Sequence, residues 1–204
     1  MAKVKMSKKS TKIDMTAMCD VAFLLLSFFV MTSTAKIPEP LPVDTPASTR
    51  ETKLPDTDLA TITVGDKKVF FGITGQDLRR EALGNIAEKY SVTFTEEETK
   101  RFSLIDGFGV PVGNLKQLIA LKGDERNKPG VQPGIPYDSL DNQLREWVLA
   151  ARLAAKDAHQ TELKIAIKGD AKEEYPTIKK VIDILQQQKV NKFFLVTGLR
   201  SDDF

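Results

Sequence analysis

The sequence is poor in the residues that build covalent or metal-bound scaffolds. Its 204 residues include one cysteine, Cys19, and one histidine, His159. A single cysteine cannot form an intramolecular disulfide, and one histidine with no cysteine near it cannot build a zinc site. No nucleophile–base pair or phosphate-binding loop stands out, and Gly107-Phe108-Gly109 is interpreted as a turn. We therefore expect neither an enzyme nor a cofactor.

A strong net charge is also lacking, but the small total of +2 is unevenly distributed. The first twelve residues contain no acid and five lysines, which are Lys3, Lys5, Lys8, Lys9 and Lys12. The rest of the chain therefore carries −3, which argues against nucleic acid as a partner. Basic residues directly before an apolar run are typical of the cytoplasmic side of a membrane segment. We predict that residues 1–12 form a cytoplasmic basic tail.

The chain has a single long apolar run, which extends from Met15 to Ala35. As a helix these residues would be about 31 Å long, close to the hydrocarbon thickness of a bilayer. The strictly apolar part, Val21 to Met31, is shorter and is interrupted by Ser27, so it also suits a core helix or a signal peptide. Small residues at the end of the run fit signal-peptidase cleavage. We predict a transmembrane helix at residues 13–35, with the signal peptide as the alternative.

Asp20 argues against a signal peptide that is cleaved from the chain. A carboxylate in a spanning helix costs about 2.5–3.5 kcal/mol when it is central. Thr16, Asp20 and Ser27 are separated by four and seven residues, so they share one face of a helix. Because burial disfavours the charged form, a carboxyl that is neutral when enclosed and ionised when reached by water can load and release protons. The alternative is an acid that only reaches to the interface or pairs with a lysine.

Residues 36–58 are rich in proline among serine, threonine and aspartate. This composition favours extended backbone and predicts a semi-stiff periplasmic linker. The linker is either a passive spacer or a strand-like segment that docks on a partner or on a second copy of the chain.

Residues 59–204 are predicted to form one α+β domain. A strand, a tight turn at Gly65-Asp66 and a second strand come first. A long helix, Leu140 to His159, is predicted to be capped within Tyr137-Asp138-Ser139 and to bury Trp147, with His159 at the surface. The other predicted elements are a helix at Gln76–Tyr90, a strand at Leu163–Ile167, a helix at Tyr175–Gln188 and a strand at Lys192–Thr197.

Two stretches resemble the ExbD/TolR family of proton-channel subunits. The family has the motif Ile-Asn-x-Thr-Pro-x-x-Asp before an apolar helix. The corresponding residues here are Ile13-Asp14-Met15-Thr16-Ala17-Met18-Cys19-Asp20, in which Asp14 replaces the asparagine and Ala17 replaces the proline. Leu41-Pro42 and the run from Thr45 to Thr49 are similar to the Leu-Pro-rich segment that follows the family's helix. The C-terminal strand, turn, tyrosine-led helix and strand also match, whereas residues 73–136 look like an insertion.

The resemblance, closer to ExbD than to TolR, implies specific roles. Asp20 stands in place of the family's proton-accepting aspartate, with Thr16 and Ser27 beside it in proton translocation. Leu41, Pro42 and Pro46 would dock a partner. The implied fold is one transmembrane helix, a linker and a small two-layer periplasmic α+β domain.

The resemblance also implies a place in the cell and a set of partners. The chain would be a single-pass inner-membrane protein with a cytoplasmic N-terminus and a periplasmic C-terminal domain. It would work as a homodimer inside a ring of an ExbB-like multi-span protein and energise a TonB-like protein for outer-membrane transport. The alternatives are a TolR-like subunit of an envelope-integrity motor, or a periplasmic binding domain with a signal peptide or anchor and no ion flux.

Overall fold

The computed structural model describes residues 15–33, 39–48, 53–138 and 141–199. The chain divides into two compact units, Met1–Ile37 and Pro38–Phe204, each described by itself. The basic tail and the ends of the predicted transmembrane helix at 13–14 and 34–35 lie outside the described residues. Ser139, within the predicted cap, and Leu140, the predicted start of the long helix, also lie outside them.

In the first unit, the described residues form one helix, α1, at Met15–Thr32. An almost uninterrupted apolar sequence favours a helix because the backbone then satisfies its own hydrogen bonds. The two hydroxyl side chains in its second half also form hydrogen bonds within the helix, to its backbone carbonyls. Ser27 Oγ donates to the Leu24 carbonyl at 2.9 Å, and Thr32 Oγ1 donates to the Phe28 carbonyl at 2.8 Å.

The second unit is an α+β domain, as the sequence predicts. Its strands are β1 at Ala47–Ser48, β2 at Leu59–Gly65, β3 at Lys68–Ile73, β4 at Lys164–Gly169, β5 at Phe194–Val196 and β6 at Gly198–Leu199. Its helices are α2 at Gln76–Tyr90, α3 at Glu96–Ser103, α4 at Leu115–Ala120, α5 at Gly123–Arg126, α6 at Gln143–His159 and α7 at Tyr175–Gln187.

Four of the strands form a mixed sheet in the order β3-β2-β4-β5. β2 and β3 are antiparallel and are joined by Asp66 and Lys67, whose φ angles of 50° and 58° suit a two-residue hairpin turn. β2 pairs parallel with β4, and β4 pairs parallel with β5. Parallel neighbours need a crossover, which α7 supplies between β4 and β5. The short strands β1 and β6 form a separate parallel pair.

Four aromatic side chains from different elements meet in the core. The ring of Trp147 on α6 lies 4.6 Å from that of Phe108, 6.0 Å from Phe102 on α3 and 6.4 Å from Phe71 on β3. None of the four is more than 2% exposed. Phe102 and Phe108 belong to residues 73–136, so the region predicted to be inserted packs into the same core as the sheet.

A buried arginine ties this middle region to the sheet. Arg79 on α2 donates to the Ile73 carbonyl at 2.6 Å and to the Ser103 carbonyl at 2.7 Å. Its third contact is an ion pair with Asp106 at 2.6 Å. A buried charge with three acceptors is compensated, which is what burial of arginine requires.

Several sequence predictions are confirmed by these elements. The hairpin, the helix at Gln76–Tyr90 and the strand–helix–strand order of the C-terminal region all form. Trp147 is fully buried, and the side chain of His159 is 42% exposed at the surface.

The predicted start of the long helix is wrong. α6 begins at Gln143, and its cap is Asn142, whose side chain accepts from the Arg145 N–H at 3.0 Å. Tyr137 and Asn142 form an isolated antiparallel bridge. Because Asn142 takes part in this bridge and caps the helix, α6 begins at the next residue, three positions later than predicted.

Helix α3 was not predicted from the sequence, although its signal is present. Thr95 accepts from the Glu98 N–H at 3.2 Å, and the Glu98 carboxylate accepts from the Thr95 N–H at 2.8 Å. This reciprocal pair is a capping box, and Thr-x-x-Glu is its sequence signature.

Candidate functional site

The first candidate site is the polar stripe of α1, formed by Thr16, Asp20 and Ser27. Within α1 these residues fall inside an arc of about 40°, because each residue advances about 100° around a helix. Asp20 is the single charged side chain between Met15 and Thr32. The structure therefore brings the three predicted residues onto one helix face.

α1 buries none of its residues within the described chain. Phe28, Phe29 and the leucines are exposed, as are Thr16 and Asp20, whereas Ser27 is half-buried. By length and composition α1 is the one helix among the described residues that could cross a membrane. Its apolar faces suit lipid or apolar helices, whereas a carboxylate at this depth requires protein or water beside it.

The chemistry available to this stripe is proton binding. A carboxyl group that moves between an enclosed and a water-accessible position changes its proton affinity, and no second acid on α1 competes with Asp20. Within the described ranges, no group of three or more His, Cys, Asp or Glu side chains could hold a metal ion.

The second candidate site is residues 39–48, which we call the strap. It contains Leu41, Pro42 and Pro46, the residues predicted to dock a partner. Its side chains alternate: Leu41, Val43 and Thr45 are half-buried, whereas Pro42, Asp44 and Pro46 are exposed. This alternation is typical of an extended segment that lies on a surface with one face inward.

The strap lies on the folded domain of its own chain. Its middle covers Gly65, where an added Cβ would come within 2.9 Å of Val43 and 3.2 Å of Leu41, so only glycine permits this close approach. The Asp44 carbonyl accepts from the Ala171 N–H at 2.7 Å.

Both ends of the strap are also held. Glu39 forms an ion pair with Lys168 at 2.5 Å. At the other end, the Pro46 carbonyl accepts from the Gly198 N–H at 2.9 Å, and β1 pairs with β6. Because Pro42 and Pro46 have no N–H, the strap offers few backbone donors and binds largely through its carbonyls and alternate side chains.

A further pair lies where the linker enters the domain, and sequence reasoning missed it. His159 Nδ1 lies 2.5 Å from Asp58 Oδ1. This hydrogen bond raises the pKa of His159 and lowers the pKa of Asp58. The two residues are 101 positions apart, so no local sequence signal could have joined them.

Comparison with known families gives one clear match. The family model described as "Biopolymer transport protein ExbD/TolR" matches residues 6–199, which include α1, the strap and the whole described domain. Comparisons with curated proteins and with solved structures give no match.

Proposed function

Because the chain belongs to the ExbD/TolR family of biopolymer transport subunits, we propose that it is the ExbD-like subunit of a proton-driven motor in the inner membrane. The observation that carries the proposal is Asp20, the single charged side chain of α1, on one face with Thr16 and Ser27. α1 spans the membrane once, with the lysine-rich tail in the cytoplasm and the α+β domain in the periplasm. The chain is not an enzyme in this proposal.

In the proposed mechanism, protons cross the membrane by way of the Asp20 carboxyl. α1 sits with a second copy inside a ring of an ExbB-like multi-span protein, which provides the protein and water surroundings that a carboxylate needs at this depth. Neutral Asp20 is compatible with an apolar position, and ionised Asp20 favours a position open to water. Alternation between the two positions moves α1 relative to the ring. Thr16 and Ser27 line the same path.

The periplasmic domain would pass this motion to a TonB-like protein that serves outer-membrane transporters. The strap is the proposed docking element, and Leu41, Pro42 and Pro46 are its contact residues. Its surface is extended and offers alternate side chains and backbone carbonyls, which suits recognition of an extended partner segment. The strap then has two states, one bound to its own domain and one bound to the partner. To bind, the partner must displace the contacts between the strap and the domain.

The test of proton coupling is Asp20→Asn in the full chain, expressed in cells whose own copy is deleted. We expect TonB-dependent uptake to fall to the deletion background, because the amide cannot exchange a proton. Asp20→Glu is the matched variant and should retain part of the uptake. Copurification of the ExbB-like protein should remain unchanged with Asp20→Asn, which separates loss of coupling from loss of assembly. Full uptake with Asp20→Asn would contradict the proposal.

Two further measurements separate this function from its alternatives. Rescue of outer-membrane uptake supports the ExbD-like role, whereas rescue of detergent resistance alone supports a TolR-like subunit. The mass of the mature chain addresses the signal peptide. Loss of residues 1–35 would remove Asp20 and would leave a periplasmic domain without ion flux.

A further inference from the structure

A groove of about 700 Å³ lies between α6 and the segment that joins α7 to β5. Leu149 and Leu153, one turn apart on α6, line one side and are 39% and 44% exposed. Val190 lines it from the joining segment. A surface helix normally presents polar side chains outward, so an exposed aliphatic pair inside a concave surface indicates a place of contact.

The lining of this groove is strongly cationic. It contains four basic side chains and one carboxylate, which are Arg152, Lys156, Lys189, Lys192 and Glu162. None of the five takes part in the ion pairs found among the described residues. Arg152 Nη1 donates to the Gln188 carbonyl at 3.0 Å, which holds its guanidinium at the groove. The groove therefore presents an excess of positive charge that its own surroundings do not neutralise.

Lys189 occupies a backbone position that favours glycine. Its φ is +61°, in the left-handed region where a residue with a Cβ is strained. Glycine there would relieve the strain but remove one of the groove's cations. The same conformation ends α7, where the Lys189 and Val190 N–H groups donate to the Gln186 and Leu185 carbonyls at 2.8 and 3.0 Å.

We propose that this groove binds an acidic segment of a partner protein in which carboxylates alternate with aliphatic side chains. The four cations face the carboxylates, and Leu149, Leu153 and Val190 receive the aliphatic side chains. Residues four apart on a helix are about 6 Å apart along its axis, close to the roughly 6.7 Å between alternate residues of an extended peptide. A concave surface suits a chain segment better than a flat bilayer. The inference does not depend on proton transfer at Asp20.

The first test is a binding titration of the full chain in nanodiscs of neutral lipid. The probe is a short fluorescent peptide of alternating glutamate and leucine, followed by anisotropy. We expect saturable binding that weakens as salt is added, because exposed charges are screened. A peptide with glutamine in place of glutamate should bind at least tenfold more weakly.

Charge variants test whether binding depends on the positive charge of the groove. Arg152→Gln and Lys189→Gln should each weaken binding about three- to fivefold, the range expected for exposed ion pairs. Glu162→Gln removes the single carboxylate of the lining and should strengthen binding by a similar factor. Lys179→Gln, on α7 and outside the lining, should leave binding unchanged.

Two pairs of variants test the apolar contact and the strained lysine. Leu153→Ser should weaken binding about tenfold through lost apolar burial, whereas Leu104→Ser, at a leucine that is also exposed but lies outside the groove, should not. Lys189→Gly and Lys67→Gly both relieve a positive φ and should raise the Tm by roughly 2–4 °C. Only Lys189→Gly should also weaken peptide binding.

The proposal is overturned if the peptide does not bind, if the glutamine peptide binds equally well, or if Glu162→Gln weakens binding. A photo-cross-linker at position 153 in the assembled complex gives the decisive result. Adducts whose cross-linked segment is sequenced and is acidic support the proposal. Adducts formed only with lipid or glycan, or only with non-acidic protein segments, contradict it.

Discussion

At the scale of single residues, the Asp58–His159 pair responds to pH within the domain. Asp77 and Glu81 also raise the pKa of His159, and Lys164 also lowers that of Asp58, although burial opposes both shifts. Because the pKa of His159 is above its ordinary 6.5, its stabilisation is complete below pH 6.5 and is lost as the pH rises through the raised value. Because the pKa of Asp58 is below its ordinary 3.8, its contribution is present above pH 3.8 and is lost as the pH falls through the lowered value.

We predict that His159→Gln lowers the thermal stability of the full chain in mildly acidic buffer and changes it little in alkaline buffer. Between the pKa of Asp58 and the pKa of His159, both side chains are charged and attract each other. Glutamine carries no charge, so it removes this ionic interaction. The measurement is the Tm of wild type and variant from pH 4 to pH 9. The two curves should converge as the pH rises.

A double-mutant cycle with Asp58→Asn provides the control for this prediction. Asparagine tolerates the left-handed backbone of Asp58, whose φ is 54°, so the backbone change is small. In the Asp58→Asn background, His159→Gln should no longer have a pH-dependent effect. A difference between wild type and His159→Gln that is the same at all pH values would show that the pair has no ionic contribution.

At the scale of elements, Trp147 of α6 joins the aromatic core to β3 and α3. Its indole Nε1 is buried and has no hydrogen-bond partner among the described residues. An unpaired buried donor carries a desolvation cost of about 1–3 kcal/mol. The ring therefore stabilises the core through packing, while its N–H works against folding.

We predict that Trp147→Ala lowers the free energy of unfolding by about 3–5 kcal/mol, because it leaves a large cavity. Trp147→Phe removes the unpaired N–H as well as part of the ring, so it should cost less than about 2 kcal/mol. Urea denaturation followed by far-ultraviolet circular dichroism measures both. A loss for Trp147→Phe as large as that for Trp147→Ala would contradict this prediction.

Elements with local signals could be predicted from the sequence, whereas those set by distant contacts could not. The β2–β3 hairpin and α2 have clear alternation or helical spacing, and both are present as predicted. The first turn of α6 depends on the bridge between Tyr137 and Asn142 and on Asn142 as the cap. The cap predicted within Tyr137-Asp138-Ser139 favoured a boundary that is three residues too early.

The same distinction applies to the candidate sites. The stripe of Thr16, Asp20 and Ser27 follows from spacing within one helix, so the sequence alone predicts it. The prolines of the strap predict a linker. Its contacts with Gly65 and β6 depend on residues that come later in the sequence, within the folded domain. Composition indicates extended backbone, but it does not indicate which surface that backbone covers.

At the scale of the whole molecule, we predict that fixing the strap to its domain stops energy transfer. In a Cys19→Ser background, Thr45→Cys and Gly198→Cys place two cysteines side by side, because a Cβ added at Gly198 would lie 3.4 Å from Thr45 Oγ1, a spacing compatible with a disulfide. Oxidation should abolish TonB-dependent uptake, and reduction should restore it, because the proposed docking residues cannot leave the domain.

The single-cysteine variants are the controls, and both should retain uptake under oxidising and reducing conditions. Copurification of the ExbB-like protein should be the same in all forms. Full uptake by the oxidised double variant would contradict a role for strap release.

The unequal sizes of the two pairings around the strap have a mechanical consequence. β1 holds β6 through two paired residues, whereas β2 is held by six paired residues on each side. Tension from the amino-terminal side would reach the Glu39–Lys168 ion pair first, then the contacts over Gly65, and the β1–β6 pair last. Because two paired residues have fewer hydrogen bonds to break than six, we expect the strap to leave the domain under load before the sheet separates, and to rebind when the load falls.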